Sequence, residues 1–315
     1  MQIRLLFFLQ IAIICGHSKK TFRRYIMKKL FAILLVLAIM VTALCVFAGC
    51  DKGGDKVKLV SVELTGEQYG YCVDKNDTTL LTQVNAFLSQ IKSDGTLDTL
   101  YEKYDSTKNA NYNTITGIGA NVATSEVGIA NPFIVATNTD FEPFEYKNGN
   151  NICGIDMEVA KLLADYLGKT LVIKDMDFDA VVTSVEQGIC HIGMAGLTIS
   201  DDRAETVTFS SPYYGTTQMI IVRADDTTFD NCTTKEQVEA ILSSMSGKKA
   251  GAQSGTTGFY YINGSEDFGF KGFSNIQING YDSAAFAITD LVNGVIDFVV
   301  VDKDPAKSII KKVNI

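Results

Sequence analysis

Histidine is almost absent from this chain of 315 residues, which contains only two, and His191 is the only one after residue 49. Histidine is the usual ligand of catalytic zinc and the usual base of a nucleophile triad, so neither kind of site is expected. The four cysteines after residue 50 lack CxxC spacing and are expected to be small buried residues: Cys72, Cys153, Cys190 and Cys232. The sequence therefore predicts no metal site, and no cofactor is expected.

Positive charge is also scarce once the N-terminal region is set aside. Residues 1–49 contain seven of the 28 Lys and Arg residues and no Asp or Glu, which leaves 21 basic against 36 acidic residues, a formal charge of −15. A chain of this charge has no general basic field with which to hold nucleic acid or anionic lipid. We therefore expect no nucleic-acid partner.

The N-terminal region has the pattern of a secretory signal. In MKKLFAILLVLAIMVTALCVFAGC, residues 27–50, two lysines precede an apolar run that is short for a membrane helix and ends in small residues before a cysteine. FAGC resembles the lipobox of bacterial lipoproteins, which implies a lipid on Cys50; a plain cleaved signal and an uncleaved anchor are the alternatives. We expect residues 1–49 to be the signal region with the true start at Met27, and residues 50–56 to be a lipid-anchored tether.

The rest of the chain alternates between strand and helix patterns. VKLVSVEL (57–64) and YGYCV (69–73) are typical of strands, and Asp77 is expected to cap the first of two helices that Gly95 separates. After an Asn-, Thr- and Gly-rich stretch up to residue 130, strands and helices alternate from Asn131 and again after QMIIVRA (218–224). This alternation predicts two α/β lobes, and a ligand site between them where strands end.

Three polar loops follow predicted strands and are candidates for that site. AGLTISDDR (195–203) has Ser200 as a candidate N-cap and Arg203, whose guanidinium can grip a carboxylate; a surface Arg paired with nearby acids is the alternative. QSGTTG (253–258) offers backbone N–H groups to an anion but lacks the lysine of a P-loop. Asp302 ends the apolar strand FVVVD, where it suits an ammonium group; the alternative is a helix N-cap.

Several motifs in a fixed order carry a resemblance to a known family. They are ATNTDFEPFEYKNG, GIDMEVAKLLADYLG, MDFDAVVTSVEQG, AGLTISDDRAETVTFSSPYY, GAQSGTTG and VVVDKDPA, and they run through residues 131–315. Together they resemble the bacterial extracellular solute-binding proteins of family 3, the substrate-binding lipoproteins of polar amino-acid ABC transporters. The resemblance implies an α/β fold with two lobes, the periplasmic-binding-protein-like fold of type II.

The resemblance also implies a set of ligand-binding residues: Asn138, Phe141, Phe178, Gly196, Thr198, Arg203, Thr257 and Asp302. In this set Arg203 clamps the ligand carboxylate with help from the two threonines and the backbone at Gly196, and Asp302 binds the ammonium. The two phenylalanines form aromatic walls, and Asn138 is the position that often reads the ligand's side chain. His191 stands where relatives have Asp and is interpreted as a core or hinge variation.

The order of the segments departs from the family pattern. In the family the chain ends with a strand and a helix pair rich in DGT and Y-x-K-Y/W, whereas here residues 57–106, which contain SDGTLDTLYEKY, stand at the front. The resemblance therefore implies a circular permutation, with a gene fusion or deletion as the alternative. The expected parts are a lobe 2 strand (57–63), a hinge (64–68), lobe 1 (69–106), a linker (107–130), lobe 1 (131–222), a hinge (223–228) and lobe 2 (229–315).

The function that the resemblance implies is capture of a polar amino acid between the lobes and its delivery to an ABC permease. The protein is expected to be a monomer, outside the cytoplasm, held to the cell membrane by its lipid, and not an enzyme. One alternative is a dehydratase-like enzyme on the same scaffold, which needs an acid/base pair in the cleft for which Glu142 is the extra candidate. The other is a sensory or adhesive lipoprotein with a vestigial cleft.

Overall fold

The structure, a computed structural model, describes residues 54–314. The predicted signal region, the start at Met27 and the lipidated Cys50 lie outside the described residues. In this part of the chain the strands are β1 (Val57–Leu59), β2 (Glu67–Tyr69), β3 (Cys72–Asp74), β4 (Pro132–Thr137), β5 (Asp140–Phe141), β6 (Glu145–Asn148), β7 (Asn151–Cys153), β8 (Thr170–Asp175), β9 (Ile192–Gly193), β10 (Val207–Phe209), β11 (Tyr214–Thr216), β12 (Gln218–Arg223), β13 (Lys248–Gln253), β14 (Ile276–Tyr281) and β15 (Phe298–Asp302).

The helices of the same part alternate with these strands. They are α1 (Thr78–Ser93), α2 (Thr96–Lys103), α3 (Ile155–Tyr166), α4 (Phe178–Glu186), α5 (Asp201–Thr206), α6 (Lys235–Ser244), α7 (Thr257–Asn263), α8 (Ala284–Val292) and α9 (Lys303–Val313). No helix within residues 54–314 combines the length and the apolar character needed to cross a membrane.

The first lobe is built on a five-stranded sheet in the order β10-β3-β9-β4-β8. β4 runs parallel to β8 and β9, whereas β3 runs antiparallel to its neighbours. Because successive strand residues point to opposite faces, Phe133 and Val135 pack into one core with α1, α2 and α3, while Ile134 and Ala136 pack into another with α4. Both faces of the sheet are therefore covered, which explains the nearly continuous apolar run of β4.

The second lobe repeats this plan with a sheet in the order β1-β12-β15-β13-β14. β13 is parallel to β14 and β15, and β12 is antiparallel to β15 and β1. Ile220 and Val300 pack with α6 and α7 on one face, and Ile221 and Val299 pack with α8 and α9 on the other. Both lobes belong to one compact unit of the chain that begins at Asp55.

Two stretches of chain cross between the lobes, and they pair with each other. β2 runs antiparallel to β11, with Glu67 opposite Thr216 and Tyr69 opposite Tyr214. β2 leads into β3 of the first lobe, and β11 leads into β12 of the second. The predicted end of the first lobe at residue 222 and the predicted hinge at 223–228 are therefore wrong. An apolar strand such as QMIIVR suits the interior of either sheet, and its pattern does not say which one it enters.

The helix pair before residue 105 belongs to the core of the first lobe. Asp77 caps α1 by accepting a hydrogen bond from the Leu80 N–H, and Gly95, with φ of 78°, makes the turn to α2. The side chains of both helices that face the lobe are buried: Leu80, Val84, Phe87, Leu88, Ile91, Leu97 and Leu100. The pair thus buries its apolar face against residues that lie much later in the chain.

The predicted linker, residues 107–130, lies along the first lobe. Tyr112 and Ile115 are buried, and isolated bridges join Gly119 to Ile152 and Ala123 to Val172. The segment therefore follows the surface of the lobe and does not span open space. The circular permutation stays a prediction.

Candidate ligand-binding cleft

Arg203 projects into the junction between the lobes. Gly196, with φ of 53°, turns the chain after β9, and the Ser200 hydroxyl caps α5 by accepting from the Arg203 N–H. The guanidinium is 7% exposed and donates to the Thr198 carbonyl oxygen at 2.8 Å and, across the cleft, to the Gly255 carbonyl oxygen at 3.0 Å. The alternative of a surface Arg paired with neighbouring acids is wrong, because the side chain is buried and bonded to the backbone of both lobes.

Aromatic rings lie on two sides of the same guanidinium. The Arg203 Cζ atom is 5.3 Å from the centre of the Phe178 ring and 5.6 Å from that of Phe268. The first ring comes from the first lobe and the second from the second lobe. Burial lowers the pKa of Arg203 from its ordinary value, but an arginine keeps its proton in proteins. Arg203 is therefore a buried, fixed positive charge to which both lobes contribute contacts.

Asp302 is the matching negative group at the end of β15. Its side chain is 5% exposed and accepts a hydrogen bond of 2.6 Å from the Tyr69 hydroxyl. The residue occupies the N-cap position of α9, as the alternative expected, but its side chain makes no capping hydrogen bond and bonds to Tyr69 instead. Burial, together with the neighbouring Glu67 carboxyl, raises the pKa of Asp302 to about 7.

Glu67 is a further buried acid at this place, and the sequence reasoning missed it. Its two oxygens accept hydrogen bonds from the Thr65 hydroxyl at 2.5 Å and from the Thr198 hydroxyl at 2.8 Å. Alternation along β2 puts Glu67 and Tyr69 on one side and leaves Gln68 exposed on the other. That alternation is the signal that could have pointed to Glu67.

The aromatic wall formed by Phe141 depends on the glycine at 196. A Cβ atom on Gly196 would lie 2.6 Å from Cε1 of the Phe141 ring, a distance that real Cβ atoms do not show. The Gly196 N–H in turn donates to the buried Asp156 at 3.1 Å. The Phe141 ring also lies 6.3 Å from the ring of Tyr69, which links this wall to Asp302.

Asn138 and Gln253 join the lobes on another side of the junction. The Gln253 side-chain amide donates to Asn138 Oδ1 at 2.9 Å and to the Asp282 carbonyl oxygen at 2.9 Å. The Asn138 amide donates to the Met176 carbonyl oxygen at 2.9 Å, so the orientation of both amides is fixed by backbone. The amides of Asn138 and Gln253 thus form a polar contact between the lobes in which each donor has a defined acceptor.

Open cavities lie between the lobes, and two of them are lined by residues of the expected ligand set. The larger of the two, of about 540 Å³, is lined by β2 with Glu67, by Thr198, and by Thr257, Lys235 and Phe268 of the second lobe. The smaller, of about 250 Å³, lies beside Arg203 and is lined by Phe178, Asp179, Gly255 and Tyr260. The larger volume falls within the roughly 300–1,000 Å³ typical of small-molecule sites.

Asn138 and Arg203 thus bond across the junction, and Phe178, Thr198 and Thr257 line the cavities there. Asp302 bonds to Tyr69 of the crossing strand β2, and Phe141 and Gly196 lie next to that tyrosine. The roles of the eight residues toward a ligand stay predictions.

His191 does not belong to the junction: its Nδ1 accepts from the Ile134 N–H at 2.8 Å and its ring stacks on Phe133. Cys72, Cys153 and Cys190 are buried, as expected, whereas Cys232 is only partly buried and the expectation is wrong for it. Within residues 54–314, no group of three or more His, Cys, Asp or Glu side chains is arranged to hold a metal ion.

Glu142, on which the enzyme alternative depends, is engaged elsewhere. Its carboxylate accepts a hydrogen bond of 2.6 Å from the Tyr112 hydroxyl and forms an ion pair with Lys312. Tyr112 belongs to the 107–130 segment and Lys312 to α9, so this contact also joins the lobes. Tyr112 and Lys312 thus occupy one oxygen each of this carboxylate.

The fold and the junction together define a class of protein: two α/β lobes, joined by a paired crossing, with buried opposite charges between them. Residues 133–311 match the family described as bacterial extracellular solute-binding proteins, family 3. The match covers more than half of the chain, and the chain belongs to this family. The predicted family and the predicted two-lobed α/β fold are confirmed.

Individual relatives agree with this assignment. The chain is 36% identical over 111 residues to the arginine-binding extracellular protein ArtP of Bacillus subtilis (strain 168), which covers 35% of this chain and 43% of ArtP. It is 25% identical over 187 residues to a probable histidine-binding protein of Campylobacter jejuni, covering 59% of this chain and 66% of that protein. The chain thus spans less than two thirds of the length of these curated relatives.

Solved structures give the same result. Holo ArgBP from T. maritima is similar with a TM-score of 0.50 and 31% identity, over 58% of this chain and 74% of that one. An ancestral arginine-binding protein bound to glutamine has a TM-score of 0.50 and 29% identity, over 58% of this chain and 75% of that one. The names of these relatives describe proteins that bind amino acids.

Proposed function

We propose that this protein captures a polar amino acid between its two lobes and delivers it to an ABC permease. The observation that carries the proposal is the position of Arg203, whose buried guanidinium belongs to the first lobe and bonds to the Gly255 carbonyl of the second. Asp302 supplies the opposite charge in the same junction. A buried guanidinium and a buried carboxyl are costly by themselves, and a zwitterion that brings a carboxylate and an ammonium compensates both.

Ligand binding is expected to stabilise the closed arrangement of the lobes. Contacts that require both lobes at once exist only when the cleft is closed, so a ligand that makes them shifts the population toward closure. The crossing strands β2 and β11 are the elements about which such a motion would occur. A closed receptor that hides its ligand is the form that a permease would have to recognise.

The side chain of the ligand is expected to point toward Asn138 and Gln253. Their amides are buried and oriented by backbone, and buried amides favour a polar partner over an apolar one. The relatives whose names specify arginine, histidine or glutamine support a polar amino acid as the ligand. We propose binding and not catalysis, because Glu142 is already engaged by Tyr112 and Lys312.

Localisation and chain order are part of the same proposal. A lipid on Cys50 would hold the protein at the outer face of the cell membrane, as a monomer with one cleft.

A circular permutation is supported by β1, which precedes β2 in the chain but lies at the edge of the second sheet. It is also supported by Asn314, whose side chain accepts hydrogen bonds from the N–H groups of Lys56 and Val57 at 2.9 and 3.2 Å. In this arrangement the lipid tethers the second lobe.

Calorimetric titration of the purified protein with the twenty amino acids tests the proposal. At least one polar amino acid is expected to bind tightly, and Arg203→Ala is expected to weaken it about a hundredfold, since hydrogen bonds to charged groups contribute about 1.5–3 kcal/mol each. Arg223→Ala is the matched control, because that guanidinium bonds to the Leu291 and Ile296 carbonyls within the second lobe. Failure of the wild-type protein to bind any of the twenty contradicts the proposal.

A further inference from the structure

The crossing strand β2 contributes acidic and hydroxyl groups to the junction between the lobes, and it lies outside the segment that matches the family. The match covers residues 133–311, whereas β2 spans Glu67–Tyr69. Glu67 is 9% exposed, and Tyr69 is fully buried. Each of them bonds to one residue of the expected ligand set: Glu67 accepts from the Thr198 hydroxyl, and Tyr69 donates to Asp302. A single short strand thus organises both Thr198 and Asp302.

The buried charges of the junction are not balanced. Arg203 is a buried cation, whereas Glu67 and Asp302 are two buried acids. They are neighbours, because the Thr65 hydroxyl donates to Glu67 and accepts from the N–H of Gln218, the residue opposite Asp302 in the sheet. The carboxylate of a bound amino acid neutralises Arg203, and its ammonium then faces both acids. Two carboxyl groups that share a buried place repel each other when both are ionised, and a cation between them removes that repulsion.

We propose that Glu67 is a second carboxyl of the ammonium half of the cleft and acts there together with Asp302. The inference rests on the proposed function and specifies its ligand class: compounds with a charged amino group. In the empty cleft Asp302, buried beside the Glu67 carboxyl, keeps a proton for part of the time near neutral pH. An incoming ammonium replaces this proton, which passes from the carboxyl to the buffer, so that ligand binding near neutral pH is accompanied by proton release.

Other ionisable groups around the two acids can also contribute to the number of protons released on binding. They lie on the elements around the two acids: Tyr69 on β2, Tyr214 on β11, Glu145 on β6, Arg203 on α5, Asp304 on α9, and Lys235 and Asp267 at the larger cavity. The Tyr69 hydroxyl already donates to Asp302, and burial raises the pKa of Tyr69 further above its ordinary value. Tyr69 therefore acts as a fixed donor, and the proton that is released belongs to Asp302.

Glu67→Gln separates charge from shape, because an amide oxygen can still accept from the Thr198 hydroxyl. The test is calorimetry at about pH 6.5, in two buffers of different ionisation enthalpy, with the tightest ligand of the amino-acid panel. The wild-type protein is expected to release a fraction of a proton, and Glu67→Gln to lose most of that release together with about tenfold in affinity. Glu63→Gln is the matched control, since Glu63 is an exposed acid paired with Lys303.

The outcomes distinguish this inference from the proposed function. Wild-type affinity and wild-type proton release in Glu67→Gln, with binding lost in Asp302→Asn, overturn the role of Glu67 and leave the receptor function standing. A wild-type protein that binds an amino acid without releasing protons also overturns it, and this measurement needs no variant to fold. A wild-type protein that binds no amino acid overturns the proposed function and the role of Glu67 with it.

Discussion

The side-chain amide of Gln253, in the second lobe, donates a hydrogen bond of 2.9 Å to Asn138 Oδ1, in the first. Because Asn138 also donates to the Met176 carbonyl oxygen, its amide has one donor and one acceptor already assigned. A substitution of Asn138 that changes the charge of its side chain therefore changes hydrogen bonds whose partners are known. Asn138 is therefore a direct probe of ligand side-chain recognition.

Asn138→Asp is expected to destabilise the ligand-free protein and to favour cationic ligands. The new carboxylate would face the Met176 carbonyl oxygen without a donor, which costs about 1–3 kcal/mol for a buried polar group. A cationic side chain would satisfy that carboxylate, so the ratio of the arginine affinity to the glutamine affinity should rise about tenfold. Urea unfolding and calorimetry measure both effects. Asn131→Asp is the control, since Asn131 makes a similar bond to Gly168 at the surface, and an unchanged affinity ratio in Asn138→Asp speaks against the assignment.

Gly196→Ala is expected to displace the Phe141 wall and to weaken ligand binding about tenfold or more. Gly196 and Gly188 have similar φ values, 53° and 68°, but a Cβ atom meets the Phe141 ring at the first position and open space at the second. Both alanine variants should lose about 1–2 kcal/mol of stability from the left-handed backbone. Only Gly196→Ala should lose affinity, and equal affinities of the two variants would count against the wall.

Lys312→Met is expected to loosen the closed arrangement. Lys312 pairs with the buried carboxylate of Glu142 and its ammonium lies 5.6 Å from the centre of the Tyr146 ring, so the contact joins α9 to the first lobe. An ion pair with one exposed partner contributes up to about 1 kcal/mol, which corresponds to roughly fivefold in ligand affinity if it is lost on opening. X-ray scattering of the ligand-free protein should show a larger radius of gyration. Lys307→Met, which removes a local pair with Asp304 in the same helix, should leave both quantities unchanged.

Glu145→Gln is expected to flatten the pH dependence of stability above about pH 5. Glu145 is completely buried, its carboxyl oxygens have no hydrogen-bond partner within residues 54–314, and burial beside Asp156 raises its pKa well above the ordinary value. Burial also raises the pKa of Asp156 to about 6. Because the unfolded state ionises first as the pH rises from about 4, stability is lost progressively up to the folded pKa.

Thermal unfolding of the ligand-free protein between about pH 5 and pH 8 measures this effect. The melting temperature of the wild-type protein should fall across the range, and that of Glu145→Gln should fall less and be the higher of the two at the alkaline end. Glu102→Gln removes an exposed acid and controls for net charge. Parallel curves for wild type and Glu145→Gln contradict the argument.

The periodicity of the sequence was sufficient to predict most of the fold. Alternation of strand and helix patterns predicted both lobes, and Asp77 and Ser200 cap helices where their positions indicated. Thr233 and Glu236 have the spacing of a capping box, but the box of α6 is formed by the next pair, Thr234 and Gln237. Local patterns fail in this way when adjacent residues have the same hydrogen-bonding capacity.

The junction between the lobes was less predictable. Arg203 and Asp302 could be found because a charged residue after an apolar strand is unusual in itself. Phe268 and Gln253 could not be found, because their roles depend on contacts with residues of the other lobe, Arg203 and Asn138. β12 was assigned to the wrong lobe for the same reason: its apolar pattern reports burial but not the identity of the sheet.

Native mass spectrometry of the protein as purified tests the central claim, that this cleft holds one amino acid by its carboxylate and its ammonium. We expect a mass shift equal to one polar amino acid per chain, present in the wild-type protein and absent in both Arg203→Ala and Asp302→Asn. A wild-type protein without bound or bindable amino acid contradicts it. An amino acid that stays bound in both variants contradicts it equally.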